Sequence, residues 1–434
     1  MSYRPNHMQI PWHEHVSDQP ILTAPLAERA SVVGRTGLLL LSCGTGAWRV
    51  RSAMNTVARA LGLVCAADVG LLSLSFSCFD GTASYAQTLT LTSTGVDTAK
   101  LDRLERFVDD FDPAGRSAAE LHAQLDAIAQ RRGQYGPVKL GLASALACCA
   151  FTFLLGGGPI EMLLAFLGAG AGNGIRAVML RHRLTLLLCV AVSVSAACLT
   201  YAGALRLLEA ACAIDVRHEA GYICAMLFII PGFPFITSGI DMAKQDMRSG
   251  LERLTYAVMI VVVAAIAAWL MALLLRLTPV DFLPLTLGDG TRLVLRLIAS
   301  FCGVYGFSLM FNSPVPMAAT AAAIGAVANT LRLELVDLAG MPPAAAAFLG
   351  ALTAGLLASV LKRWAGYPRI SITVPSIVIM VPGLYFYRAF YTLGVMDLGT
   401  SAMWAASALL IVLALPLGLI FARIVSDPAF RHCN

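Results

Sequence analysis

Charged residues are scarce in this 434-residue sequence: they make up 13%, against 58% hydrophobic residues. Soluble domains carry about 25% charged residues. So few charges cannot cover a globule of this size, which makes lipid the solvent for much of the chain. The mean hydropathy of +0.74 agrees. The net charge is only +5, and the basic residues sit in loops rather than in a stripe, which excludes a nucleic-acid partner.

Catalytic and metal-binding signatures are missing as well. No HExxH, GxSxG or CxxC occurs. The 11 cysteines are odd in number, and most lie in apolar stretches (Cys148, Cys149, Cys189, Cys198, Cys224 and Cys302). They read as small hydrophobes in helices, with neither a disulfide frame nor a zinc site. No histidine falls inside a membrane span. His7, His13 and His15 cluster in a polar, proline-containing leader that reads as disordered. Leu38–Leu41 is too short for the apolar core of a signal peptide. The expectation is a protein that is not an enzyme and uses no cofactor and no metal.

What is present is a succession of apolar segments about 20 residues long, enough for ~30 Å of hydrocarbon. They fall near 138–156, 159–180, 184–205, 219–240, 253–275, 292–312, 314–332, 343–361, 370–392 and 402–423. Ahead of them, a tail at 1–30 reads as disordered and 31–137 as a soluble α/β domain. There Leu38–Leu41 suggests a strand, and Ser42–Gly62 a helix ending at a glycine cap. Val69–Phe79 and Gln87–Ser93 read as strands around an Asp80-Gly81 turn. Leu101–Phe111 and Ser117–Gln130 read as helices, the second opened by a Ser117-x-x-Glu120 capping box. Cys43-Gly44-Thr45-Gly46 reads as a helix N-cap, since it lacks the lysine of a phosphate loop.

Orientation follows from Lys and Arg. With 31–137 in the cytoplasm, thirteen basic residues lie inside, among them Arg131, Arg181, Lys244, Lys362 and Arg423. Five lie outside: Arg206, Arg217, Arg276, Arg292 and Arg332. That asymmetry places both termini in the cytoplasm.

The membrane halves, 138–275 and 292–425, resemble each other. Phe151, Asn173 and Arg176 match Phe307, Asn329 and Arg332 at an offset of 156. Pro231, Gly232, Phe235 and Asp246 match Pro382, Gly383, Phe386 and Asp397 at an offset of 151. Five spans per half put the second half into the bilayer the other way up. The fold class is therefore a mostly α membrane protein, ten transmembrane helices as a 5+5 inverted repeat, with an N-terminal cytoplasmic α/β domain. Secondary transporters use this architecture.

Proline removes a backbone donor and glycine frees the chain from helical geometry, so Pro231-Gly232 and Pro382-Gly383 are expected to break the fourth and ninth spans. Broken ends in hydrocarbon must line a cavity or be buried in protein. The candidate substrate residues are Pro231, Gly232, Phe235, Thr237, Ser238, Pro382, Gly383, Tyr385, Asn173 and Asn329. A packing kink is the competing reading. Arg176 and Arg332 either pair with a substrate carboxylate or end their spans and snorkel to the interface. Asp241, at the cytoplasmic end of the fourth span, is the candidate proton-coupling carboxylate, and Glu161 opens the second span. Gly168, Gly170, Gly172 and Gly174 read as close helix packing.

In order along the chain stand Trp48-Arg49-Val50, Ala58-Arg59-Ala60-Leu61-Gly62, Gly95-Val96-Asp97, Lys100-Leu101 and then the two proline-glycine motifs. Over roughly 31–425 this resembles the threonine/serine exporter family, a cytoplasmic α/β domain joined to ten spans. One departure is Arg51, where the family usually has Glu. The resemblance implies a secondary-active, proton-coupled exporter or antiporter of threonine and serine in the bacterial inner membrane. Its partners are the small-molecule substrate, protons and lipid, with a homo-oligomer left open. Export of dicarboxylates such as succinate is the alternative substrate class. A membrane-embedded sensor or enzyme with a catalytic soluble domain is the alternative from another class.

Overall fold

The computed structural model describes residues 10–14, 16–131, 133–212 and 218–431. The chain divides into two compact units. Residues 1–133 with Asp241–Arg253 form the first, and Gln134–Ile240 with Leu254–Asn434 form the second.

In the first unit, helices α1 (Leu26–Ser42) and α2 (Ala47–Ala60) pack on an antiparallel meander of β1 (Val64–Val69), β2 (Ser73–Phe79) and β3 (Ser84–Thr90), and α3 (Thr98–Asp109) and α4 (Ala118–Ala129) pack on the helices. The β2–β3 register runs from Ser73 opposite Thr90 to Phe79 opposite Ser84. Strand β2 alternates as a half-buried strand should, with Leu74, Phe76 and Cys78 inward. The Asp80-Gly81 turn forms as expected, with Gly81 at φ +100° and the Asp80 carboxylate accepting the N–H groups of Thr82 and Ala83. The Ser117–Glu120 capping box is present.

Two expectations change here. Leu38–Leu41 is the last turn of α1, not a strand. The helix starts well before it and buries Ala30, Val32, Val33 and Gly37, so four leucines in a row were only the visible end of a longer buried face. The tail expected to be disordered is structured in part: Ile21 is fully buried and α1 begins at Leu26. Trp12 and His13 pack on His122, and His13 meets Asp126 at 2.6 Å. Within that tail, residues 1–9 and His15 lie outside the described residues. Strand β1 went unanticipated; its residues alternate between exposed and half-buried and give only a weak pattern.

The second unit is helical. Eight helices of the described chain are long and apolar enough to span a bilayer. They are α5 (Pro137–Leu154), α6 (Pro159–Arg181), α7 (Leu186–Ala211), α10 (Met247–Leu275), α11 (Asp289–Met310), α12 (Val315–Asp337), α13 (Pro343–Ala365) and α16 (Leu398–Ser426). Two bent pairs raise the number to ten if each is one span. One joins Glu219–Ile229, which contains the short α8 (Tyr222–Ala225), to α9 (Gly232–Ala243). The other joins α14 (Arg369–Val378) to α15 (Gly383–Gly394). This is a multi-pass membrane protein. Its spans leave Leu163, Leu188, Leu270, Leu410 and Phe421 exposed, as side chains facing lipid should be. Gly168 and Gly172 of α6 lie so close to the α7 carbonyls of Ala197 and Ser193 that a Cβ would stand 2.8 and 2.7 Å from them, the close packing read from the glycine run.

Candidate functional site

Both proline-glycine motifs break their helices. The chain bends by 55° between Ile229 and Gly232 and by 48° between Val378 and Gly383. The local backbone is the same in each. Gly232 N–H donates to Ile230 O at 2.8 Å, and Gly383 N–H to Val381 O at 2.8 Å. Ile230 donates to Leu227 at 3.2 Å, and Val381 to Val378 at 3.1 Å. Phe235 donates to Pro231 at 3.2 Å, and Phe386 to Pro382 at 3.1 Å. Each residue of the second set is 151 places beyond its counterpart in the first. The helix ends repeat likewise. Gly156 and Asn312, 156 apart, both turn left-handed at φ +98° and +61°, and Gln245 and Met396, 151 apart, both at +64°.

The two breaks face each other. A Cβ on Gly232 would stand 3.1 Å from Val381 and 3.2 Å from Val378. A Cβ on Gly383 would stand 2.8 Å from Leu227 and 3.0 Å from Ile230. These contacts are reciprocal, because Leu227 corresponds to Val378 and Ile230 to Val381. Phe235 and its counterpart Phe386 stack on one another, 5.4 Å between centroids and 12° from parallel. Between the breaks lies a cavity of about 10 Å³ lined by Phe151, Leu227, Ile230, Phe307, Val378, Val381 and Gly383. That is room for about one water. Six of the seven lining residues form corresponding pairs. Helices α9 and α15 both begin here, so the N–H groups of their first turns, Phe233 and Leu384 among them, have no carbonyl of their own helix to bond.

The remaining sequence candidates divide. The Thr237 hydroxyl donates to Phe233 O at 3.0 Å and that of Ser238 to Phe235 O at 2.8 Å, so both are bonded back to their own helix. The Tyr385 ring turns to Trp404, 5.1 Å away. Asn173 donates to Leu140 O at 2.9 Å and ties α6 to α5, while Asn329 donates to Ser300 Oγ at 2.8 Å and ties α12 to α11. Neither asparagine lines the cavity. Arg332 donates to Asn329 Oδ1 at 3.0 Å. The Arg176 Nε is buried and meets no acceptor among the described residues.

Asp241 stands near the C-terminal end of α9. It belongs with the N-terminal unit and is fully buried. Its carboxylate accepts from Ala47 N–H at 3.0 Å, at the first residue of α2, and from Ser249 Oγ at 2.8 Å, and it pairs with Arg253 at 3.2 Å. Arg253 in turn donates to the carbonyls of Gly44 and Thr45 at 3.1 and 2.7 Å. The cap expected from the Cys43–Gly46 segment itself is therefore supplied by a residue 194 positions away. These three donors hold the buried carboxylate as a tie between α2, Ser249 and Arg253. The same segment brings Asp246 to Arg51, Arg248 to Asp68 and Glu252 to the Leu71 N–H.

Sequence reasoning missed three features. Tyr222 and Tyr387 share a buried hydroxyl–hydroxyl hydrogen bond of 2.7 Å beside the breaks; they are not repeat counterparts and carry no sequence signal. Phe151 and Phe307 line the cavity, and their matched spacing had marked them only as repeat positions. Glu161 pairs with His218 at 2.6 Å, and both are nearly buried. Among the described residues no cluster of three or more metal-ligating side chains occurs.

Comparison with known proteins adds the following. The family described as "Putative threonine/serine exporter" matches residues 31–275, and the one described as "Threonine/Serine exporter, ThrE" matches residues 296–425. A curated protein of Mycobacterium tuberculosis named "Probable threonine/serine exporter" is 23% identical over 413 residues, 91% of this chain and 75% of its own length. No solved structure matches the chain.

Proposed function

This chain belongs to the threonine/serine exporter family, and we propose that it exports threonine and serine by alternating access, driven by protons. The observation that carries this reading is the pair of broken helices meeting at one cavity with reciprocal contacts. Two helix N-termini converging there suit a substrate carboxylate, and the carbonyls left at the breaks suit its ammonium. The site binds a zwitterion without burying a permanent charge. The cavity of about 10 Å³ is too small for an amino acid, so the arrangement is that of a closed site. Parting of the phenylalanine stack and of the valine and isoleucine contacts admits substrate.

Reciprocity between matched positions also supports the 5+5 inverted repeat. It extends to the α5–α11 crossing, where Gly306 packs on Ala147 and Gly303 on Ala150. Under the offset of 156, Ala147 corresponds to Gly303 and Ala150 to Gly306, so each contact is the image of the other. Two halves related in this way rock between outward-open and inward-open states about the shared cavity. The N-terminal unit acts in this reading as a regulator. It lies in the cytoplasm with both termini, the protein residing in the bacterial inner membrane.

Counterflow in proteoliposomes tests the substrate. Labelled threonine and serine are expected to accumulate against unlabelled internal substrate, and labelled succinate is not. Accumulation of succinate alone overturns the amino-acid assignment in favour of a dicarboxylate.

A further inference from the structure

The second unit buries one carboxylate among its described residues, Glu161 in the first turn of α6. Its Oε1 lies 2.6 Å from His218 Nδ1, with the side chains 5% and 11% exposed. Ionisable groups are costly inside a membrane bundle and are found there chiefly where they act. A carboxylate against an imidazole is moreover a pair that gains or loses one proton at modest cost.

The pair stands where a proton can change the hold on the broken helix. His218 directly precedes the turn Glu219–Gly221, and α8 follows that turn. Its carbonyl accepts the Tyr201 hydroxyl of α7 at 2.7 Å. One residue on, Glu219 accepts from Thr278 Oγ1 at 2.9 Å. The first half of the broken span is thus held to α6 by the Glu161–His218 pair and to α7 by Tyr201. Other titratable groups surround it. Tyr201 of α7 and Cys224 of α8 lie within the field of Glu161, while Cys148 of α5 and Arg388 of α15 lie within that of Cys224. The repeat does not reproduce the pair: the positions at offsets of 156 and 151 are Met317 and Arg369.

We infer that Glu161 and His218 form the proton-carrying site of the exporter, an inference that rests on the transport reading above. In one state the pair holds a single proton between Glu161 Oε1 and His218 Nδ1. Releasing it to water leaves the carboxylate beside neutral imidazole, which loosens α6 from the first half-helix. Taking a proton up from water at the other stage restores the pair. One proton crosses for each cycle, with no other reactant.

The test uses the full chain in liposomes containing a pH-sensitive dye. Wild-type protein is expected to move protons when threonine is added. In E161Q, and independently in H218Q, the ratio of proton-driven threonine uptake to threonine counterflow falls at least about tenfold, and the threonine-induced proton signal disappears. E161D, which keeps the carboxylate, retains coupling. Either neutral variant that folds decides the matter, and a wild-type ratio in it overturns the assignment. So does a wild-type chain that carries threonine with no proton signal. A wild-type chain with no counterflow of threonine or serine instead overturns the transport reading, and this site with it.

Discussion

His122 in α4 is fully buried, accepting from Arg35 at 3.2 Å and meeting Ser31 Oγ at 2.9 Å. Burial, then the Arg35 charge, lowers its pKa from 6.5 to about 4. The unfolded chain therefore binds the extra proton first. Stability is complete above about pH 6.5 and is lost as the pH falls towards about 4. The loss amounts to at most about 3 kcal/mol. Thermal unfolding of the purified chain in detergent is expected to show this slope, and H122Q to flatten it. Asp241 makes a second prediction at this scale. D241A strands Arg253 in a buried site, at a cost of about 3–5 kcal/mol. The same melt should report a large drop; an unchanged midpoint would mean that the tie is dispensable. Arg51 pairs with Asp246 in the same segment. Glutamate at 51 sets two carboxylates against each other there.

At the scale of elements, the breaks carry the argument. A Cβ on Gly383 already stands 2.8 Å from Leu227, against 3.1 Å for Gly232 and Val381. Replacing either glycine with leucine crowds the contact between the two breaks and restrains the backbone. Transport is expected to fall at least about tenfold, roughly 1.4 kcal/mol in the barrier, with normal membrane expression. The alanine variants rank in the same order as the contacts, Gly383→Ala more harmful than Gly232→Ala. Wild-type counterflow in both leucine variants would reduce the motifs to packing kinks. The spacing of prolines and glycines revealed these breaks in advance, because a missing N–H acts locally. The hydroxyls of Thr237 and Ser238 donate to carbonyls of their own helix, and local sequence does not show which acceptor a rotamer finds.

At the scale of the molecule, we propose from the distribution of Lys and Arg that residues 31–137 lie on the cytoplasmic side and the α10–α11 connection on the other. Cysteines introduced at Glu120 and Thr286, both exposed, test this. An impermeant maleimide applied to intact cells is expected to label position 286 above the parent background and to leave position 120 unlabelled. Labelling of both, or of 120 alone, contradicts the orientation.

The sequence by itself determined the membrane class, the two helix breaks and the family. All of these depend on composition, on runs of about 20 residues, on proline and glycine acting within a turn, or on the order of short motifs along the chain. Tertiary structure alone decided which breaks meet, which aromatic rings line the cavity, that Glu161 finds His218 57 residues away, and that Asp241 caps α2. Those outcomes depend on which helices pack together, and partners brought together over such separations leave no mark in local spacing.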